Sequence, residues 1–101
     1  MILEAALLDV RPGEEHLFED AMVEAKTIIT EALGCRSLRV TRCLETKGRY
    51  LLLVEWDELE DHTVGFRQSE AYERWRAKLH HFYEPMPTVE HFEAFIAEPA
   101  A

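Results

Sequence analysis

The sequence predicts an α+β fold: a four-stranded antiparallel sheet with helices on one face, laid down in the order strand, helix, strand, strand, helix, strand. Three observations predict it. Leu17, Phe18, Ala21, Met22, Ala25, Ile28, Ile29, Ala32 and Leu33 recur at the three-and-four spacing of one helix face. A second stripe, Tyr72, Trp75, Leu79, Phe82 and Tyr83, has the same period and ends at Pro85 and Pro87, which cannot continue a helix. Around and between them lie four apolar runs with strand composition, bounded by Gly, Pro or polar turns.

The first run, Ile2 to Val10, is apolar in both registers apart from Glu4 and Asp9, so both faces of that strand are expected to be covered. Arg11-Pro12-Gly13 turns the chain. The first helix begins at Glu14, with Glu14 and Glu15 at its positive end and Gly34 as a left-handed stop beyond Leu33. Cys35 to Glu45 reads as a second strand, and Thr46-Lys47-Gly48-Arg49 as a hairpin link that makes strands two and three antiparallel neighbours. The third run, Tyr50 to Glu55 and on into Trp56, is too apolar for a strand with one wet face. Asp57 and Glu60 have capping-box spacing, which predicts a short helix bent or ended by Gly65. Ser69 followed by Glu70 caps the next helix. Val89, Phe92, Phe95 and Ile96 mark a fourth strand over Thr88 to Ile96, and Glu98 to Ala101 reads as a frayed tail.

This split βαββαβ order is ferredoxin-like, and it leaves one sheet face bare. That face is expected to carry Leu, Val, Trp and Phe, and an apolar surface of that size in water is a hazard best removed by a second copy. A two-fold homodimer packed through the sheet faces is therefore expected, with the last strand or tail reaching across.

The chain's 101 residues are read as one domain, and a domain of that length buries only roughly 60 to 65% of its unfolded surface, which also favours a partner. Eleven basic against twenty acidic residues give a formal charge of −9, which repels nucleic-acid backbones and anionic membranes. No apolar run approaches the roughly 20 residues of a membrane span, and the amino terminus has no signal-peptide pattern. Cys35 and Cys43, eight residues apart on one strand, would stand roughly 26 Å apart, too far for a disulfide. Free thiols fit a cytoplasmic location.

Four phrases are distinctive: Leu51-Leu52-Leu53-Val54-Glu55-Trp56, Glu60-x-His62, Phe66-Arg67-x-Ser69-x-x-Tyr72-x-x-Trp75, and Pro87-x-Val89-x-His91-Phe92. Together they resemble the antibiotic biosynthesis monooxygenase-like family, small dimeric α+β barrel proteins, over nearly the whole chain in element order. The resemblance implies a homodimer with one pocket per subunit between sheet and helices. It also implies a cofactor-independent monooxygenase acting on a small aromatic compound, quinol, phenolic or polyketide-like. Two other readings accompany it: a non-catalytic dimeric protein that binds a small ligand or serves in stress, and haem binding or degradation. Haem-degrading members use an Asn from the first strand and a His late in the second helical region. This chain has no Asn, and that His position falls on or beside Arg76.

Oxygenation without a cofactor requires a substrate acidic enough to lose a proton and then electron-rich enough to reduce oxygen itself. The protein must supply an aromatic slot, a base and a donor or cation that holds the anion. His62 is the candidate base and Arg67 the candidate anion-holding group, as catalytic residues. Trp56, Phe66, Tyr72, Trp75, Arg76 and His91 are the candidate substrate-binding residues. Each has a plainer reading: His62 as a solvent-facing residue of a polar helix, Trp56, Tyr72 and Trp75 as core, and Arg67 and Arg76 as surface ion pairs. His80 and His81 point about 100° apart on a helix and cannot easily share an ion, so no metal is expected, and the resemblance implies no cofactor.

Overall fold

The computed structural model describes residues 1–101. β1 (Ile2–Asp9), α1 (Glu15–Thr30), β2 (Cys35–Arg42), β3 (Arg49–Trp56), α2 (Glu70–Leu79) and β4 (Val89–Phe92) follow in the expected sequence. The four strands form one antiparallel sheet in the order β2-β3-β1-β4. Between β3 and α2 the chain makes a wide π-helical turn, Asp61–Phe66, in which the Arg67 N–H donates to the His62 carbonyl at 3.0 Å.

Both helices lie on one side of the sheet. Ala6, Leu8, Tyr50, Leu52, Val54 and Trp56 point toward them and meet Phe18, Met22, Ala25, Ile28 and Ile29 of α1 and Trp75 and Leu79 of α2 in one buried core. Phe18 is its aromatic hub, with ring centroids 4.8 Å from Tyr50 and 5.9 Å from both Phe82 and Tyr83. Burying such side chains is worth about 1.5–3 kcal/mol each, so this layer dominates stability.

Several expectations need correction. Along β3 burial alternates strictly between buried and half-buried, so this chain buries only one face of the strand. The other face carries Leu3, Ala5, Leu7, Leu51, Leu53 and Phe92, with Leu7 53% and Phe92 48% exposed. Val54 and Trp56 are on the helix side, because the hydrophobic run hides a two-residue period that composition alone cannot reveal.

α1 stops at Thr30, and Leu33 lies beyond it, 89% exposed. Gly34 does take a positive φ of +83°, but the chain reaches it through a turn in which Ala32 N–H donates to the Ile29 carbonyl at 3.0 Å. A Cβ at Gly34 would overlap the Asp61 carboxylate, so the residue is held to glycine by contact as well as by dihedral. The Asp57–Glu60 box does not form. Asp57 pairs with Arg36 at 2.7 Å, and Asp61 Oδ2 accepts from the Glu58 N–H at 3.1 Å. β2 ends at Arg42, so Cys43 lies past it, and both cysteines are free. β4 spans four residues only, and Phe95 and Ile96 are exposed. Ser69 caps α2 as expected, accepting from the Tyr72 N–H at 3.2 Å.

No helix is long and apolar enough to cross a membrane.

Candidate active site

A cavity of about 240 Å³ opens between the helix side of the sheet and α2. Its sheet wall is Glu4, Ala6, Leu8, Leu52 and Val89, and its helical wall is His62, Phe66, Arg67, Tyr72, Trp75 and His80. Tyr83, Met86 and Pro87 close one end. The π-helical turn carries both His62 and Phe66, its two buried residues. Phe66 then stands edge-on to both Tyr72 and Trp75, at centroid distances of 5.7 and 6.2 Å.

Behind the cavity, register sets the polar groups. Glu4 on β1 is the pair partner of His91 on β4, which puts both on the helix side. On the other flank of β1, Trp56 pairs with Ile2, one diagonal step from Glu4, and its Nε1–H donates to Glu4 Oε1 at 3.0 Å. His62 lies parallel to the Trp56 ring, 18° between planes, with Nε2 3.4 Å from the same Oε1 and Nδ1 2.8 Å from His91 Nε2. Glu4 and His62 are 4% and 3% exposed. One tautomer set satisfies every contact. His62 carries its proton on Nε2, toward the carboxylate, and His91 donates from Nε2 to the bare His62 Nδ1. The three groups stand in series and do not converge on a point.

Burial raises the Glu4 pKa, against the Trp56 hydrogen bond and the Arg67 charge, which lower it. Burial, with Arg67 and His91 adding to it, pulls His62 down to about 4, so its ring is neutral at neutral pH. Burial and Arg67 also lower His91, and burial and Arg76 lower His80. Arg67 thus makes itself felt throughout the site, and it has no carboxylate within ion-pairing distance.

The cavity brings together five of the eight residues singled out in the sequence: His62, Phe66, Arg67, Tyr72 and Trp75. It does not bring in Trp56, which is wholly buried behind Glu4, nor His91, which touches His62 from β4 without bordering the cavity. Arg76 points away and pairs with Glu73 at 3.4 Å on the surface, because α2 turns its Trp75 and Leu79 side inward. His62 is not solvent-facing. Glu4 is the residue that sequence reasoning missed. The available signal was a single carboxylate in an otherwise apolar strand, and only the strand order shows what it meets.

A family model described as antibiotic biosynthesis monooxygenase matches residues 1–78. The uncharacterized protein YczJ of Bacillus subtilis (strain 168) is 50% identical over 93 residues, 92% of this chain and 98% of the relative. A solved structure from Bordetella bronchiseptica, provisionally named an antibiotic biosynthesis monooxygenase, superposes with a TM-score of 0.89 at 33% identity, covering 94% of this chain and 97% of that one. SnoaB of Streptomyces nogalater, described as a cofactor-independent oxygenase, has the same fold with a TM-score of 0.77 at 15% identity over 98% of this chain and 97% of its own. The chain belongs to the antibiotic biosynthesis monooxygenase family.

Proposed function

We propose that the protein is a cofactor-independent monooxygenase of a small acidic aromatic compound, a phenol, quinol or related polyketide-like ring. The observation that carries the reading is the pairing, along one cavity, of a buried carboxylate–imidazole couple, Glu4 and His62, with an exposed cation, Arg67, that makes no ion pair. Such a couple removes a proton and such a cation holds the anion left behind. Phe66, Tyr72 and Trp75 offer flat walls to an aromatic ring. The cavity's 240 Å³ is below the roughly 300–1,000 Å³ of drug-sized ligand pockets, which favours compact rings and speaks against a porphyrin. A binder without activity would need the walls and Arg67 but would have no use for a buried carboxylate that accepts from the Trp56 N–H and faces His62 at 3.4 Å.

The test is oxygen uptake over a panel of quinols and anthrones. Arg67→Ala is expected to lower kcat/KM about 100-fold, within the range for loss of a single oxyanion donor, and His62→Ala at least about tenfold. Wild type and both variants indistinguishable from buffer across the panel would remove the enzymatic reading.

The functional unit in this reading is a two-fold homodimer. Its support is the row Leu3, Leu7, Leu51, Leu53 and Phe92 on the face that no helix covers. Sedimentation should give twice the 11.8 kDa of the chain, and Leu7→Glu should shift it to the protomer. A wild-type protomer at micromolar concentration would sink this part.

A further inference from the structure

The proposed reaction leaves open which group takes the proton, and His62 is poorly disposed for it. Both its ring nitrogens are engaged, Nε2 toward Glu4 and Nδ1 with His91. Glu4 is the reverse case. Its Oε1 takes both the Trp56 and the His62 contacts, and neither falls on Oε2. No side-chain oxygen of the protein is both fully buried and unpartnered, so Oε2 keeps some accessible surface, and Glu4 lines the cavity. A carboxylate 96% hidden by its own protein thus has one acceptor oxygen left for a ligand. Its burial-raised pKa adds proton affinity that a surface glutamate lacks.

We propose that Glu4 Oε2 accepts the substrate proton, and that Trp56, His62 and His91 are positioning residues that occupy Oε1 and leave only that oxygen free. This rests on the monooxygenase reading and adds the identity of its base. Taking an anthrone as the type of substrate, the ring methylene loses a proton to Glu4 and keeps the electron pair as a carbanion delocalised to the oxygen that Arg67 faces. Dioxygen takes up that electron pair in forming a carbon-bound peroxide anion. Loss of the second methylene hydrogen to the peroxide's outer oxygen, with cleavage of the O–O bond, gives the carbonyl and hydroxide. Glu4 then returns its proton to the hydroxide as water, so that one substrate and one dioxygen give one quinone and one water with Glu4 unchanged. His91 acts at one remove, by fixing the His62 tautomer whose Nε2–H faces Oε1.

The experiment separates proton removal from oxidation by following exchange of the anthrone methylene into deuterium oxide without oxygen, by proton NMR, beside oxygen uptake in air. Glu4→Gln keeps an acceptor for the Trp56 N–H and is expected to bind anthrone within about threefold of wild type, by tryptophan fluorescence, while slowing exchange at least about 100-fold. His62→Gln should slow it about tenfold. His91→Ala should leave the fold intact and turn the single His62 tautomer, read from ring nitrogen shifts, into a mixture. Exchange in Glu4→Gln within threefold of wild type, or lost in His62→Gln alone, would overturn the proposal. Should Glu4→Gln not fold, the wild-type protein decides: the acid limb of the exchange rate must coincide with the carbon-NMR titration of the Glu4 carboxyl, and a limb that tracks another group overturns it. Exchange without oxygen uptake would defeat the oxygenase reading and leave Glu4 as the base. Oxygen uptake that survives in Glu4→Gln would do the opposite.

Discussion

Replacing Trp56 by alanine should lower the unfolding free energy by about 3–5 kcal/mol, the range for removing a large buried aromatic side chain. The side chain is wholly buried, stacks on His62 at a centroid distance of 5.2 Å and lies 5.9 Å from Phe66, so its loss empties the floor beneath the cavity. It also strips the buried Glu4 carboxylate of its best hydrogen-bond donor, which adds to the cavity term. For a domain of this length the melting temperature should drop by about 15 °C or more. Trp56→Phe divides the two effects, since it keeps most of the packing and removes only the N–H, for an expected loss of about 1–3 kcal/mol. A Trp56→Ala protein that melts within about 3 °C of wild type would show that the residue does not support the fold as described.

Acidification should destabilise the protein well before its surface carboxylates titrate. His62 is held at about 4 when folded against 6.5 ordinarily, so between these values the unfolded chain binds a proton that the folded one excludes. Stability therefore falls as pH falls through that window, by about 2 kcal/mol between pH 7 and pH 5. His80 and His91, also lowered, act in the same direction. Glu4 acts in the opposite one: its folded pKa is raised, so the fold gains as the carboxyl protonates, and this offsets part of the loss. Urea unfolding midpoints at the two pH values, at one protein concentration, measure the difference. His62→Gln should abolish most of it, and an equal fall in that variant would assign the effect elsewhere.

The parts of this molecule that were legible in its sequence are those whose cause is local. Ser69 caps α2 through a bond to a backbone N–H three residues on, and the α1 stripe repeats within a few turns, so neighbouring residues carried the information. The split order of elements followed from them. Phe66, Tyr72 and Trp75 could be grouped because a turn and a single helix join them. Glu4 could not. What it is depends on β1 lying between β3 and β4, on a pairing with His91 that is 87 positions away, and on Trp56 at one diagonal step. Arg67 and Arg76 look alike in sequence, but Arg67 leaves the π-helical turn beside the cavity whereas Arg76 sits on the outward side of α2. Trp56 closes an apolar strand and so suits both substrate binding and the core, because a strand end can face a ligand or stand behind one.

The unneutralised guanidinium of Arg67 belongs to a molecule whose formal charge is −9. Within the screening length, about 8 Å in physiological salt, an approaching anion is repelled by the surrounding carboxylates, and at the cavity it meets the arginine. Passage inward thus favours a neutral, protonated guest, and ionisation belongs to the cavity, which Arg67 borders from an exposed position. The same field that keeps acids out as salts lets them in as acids.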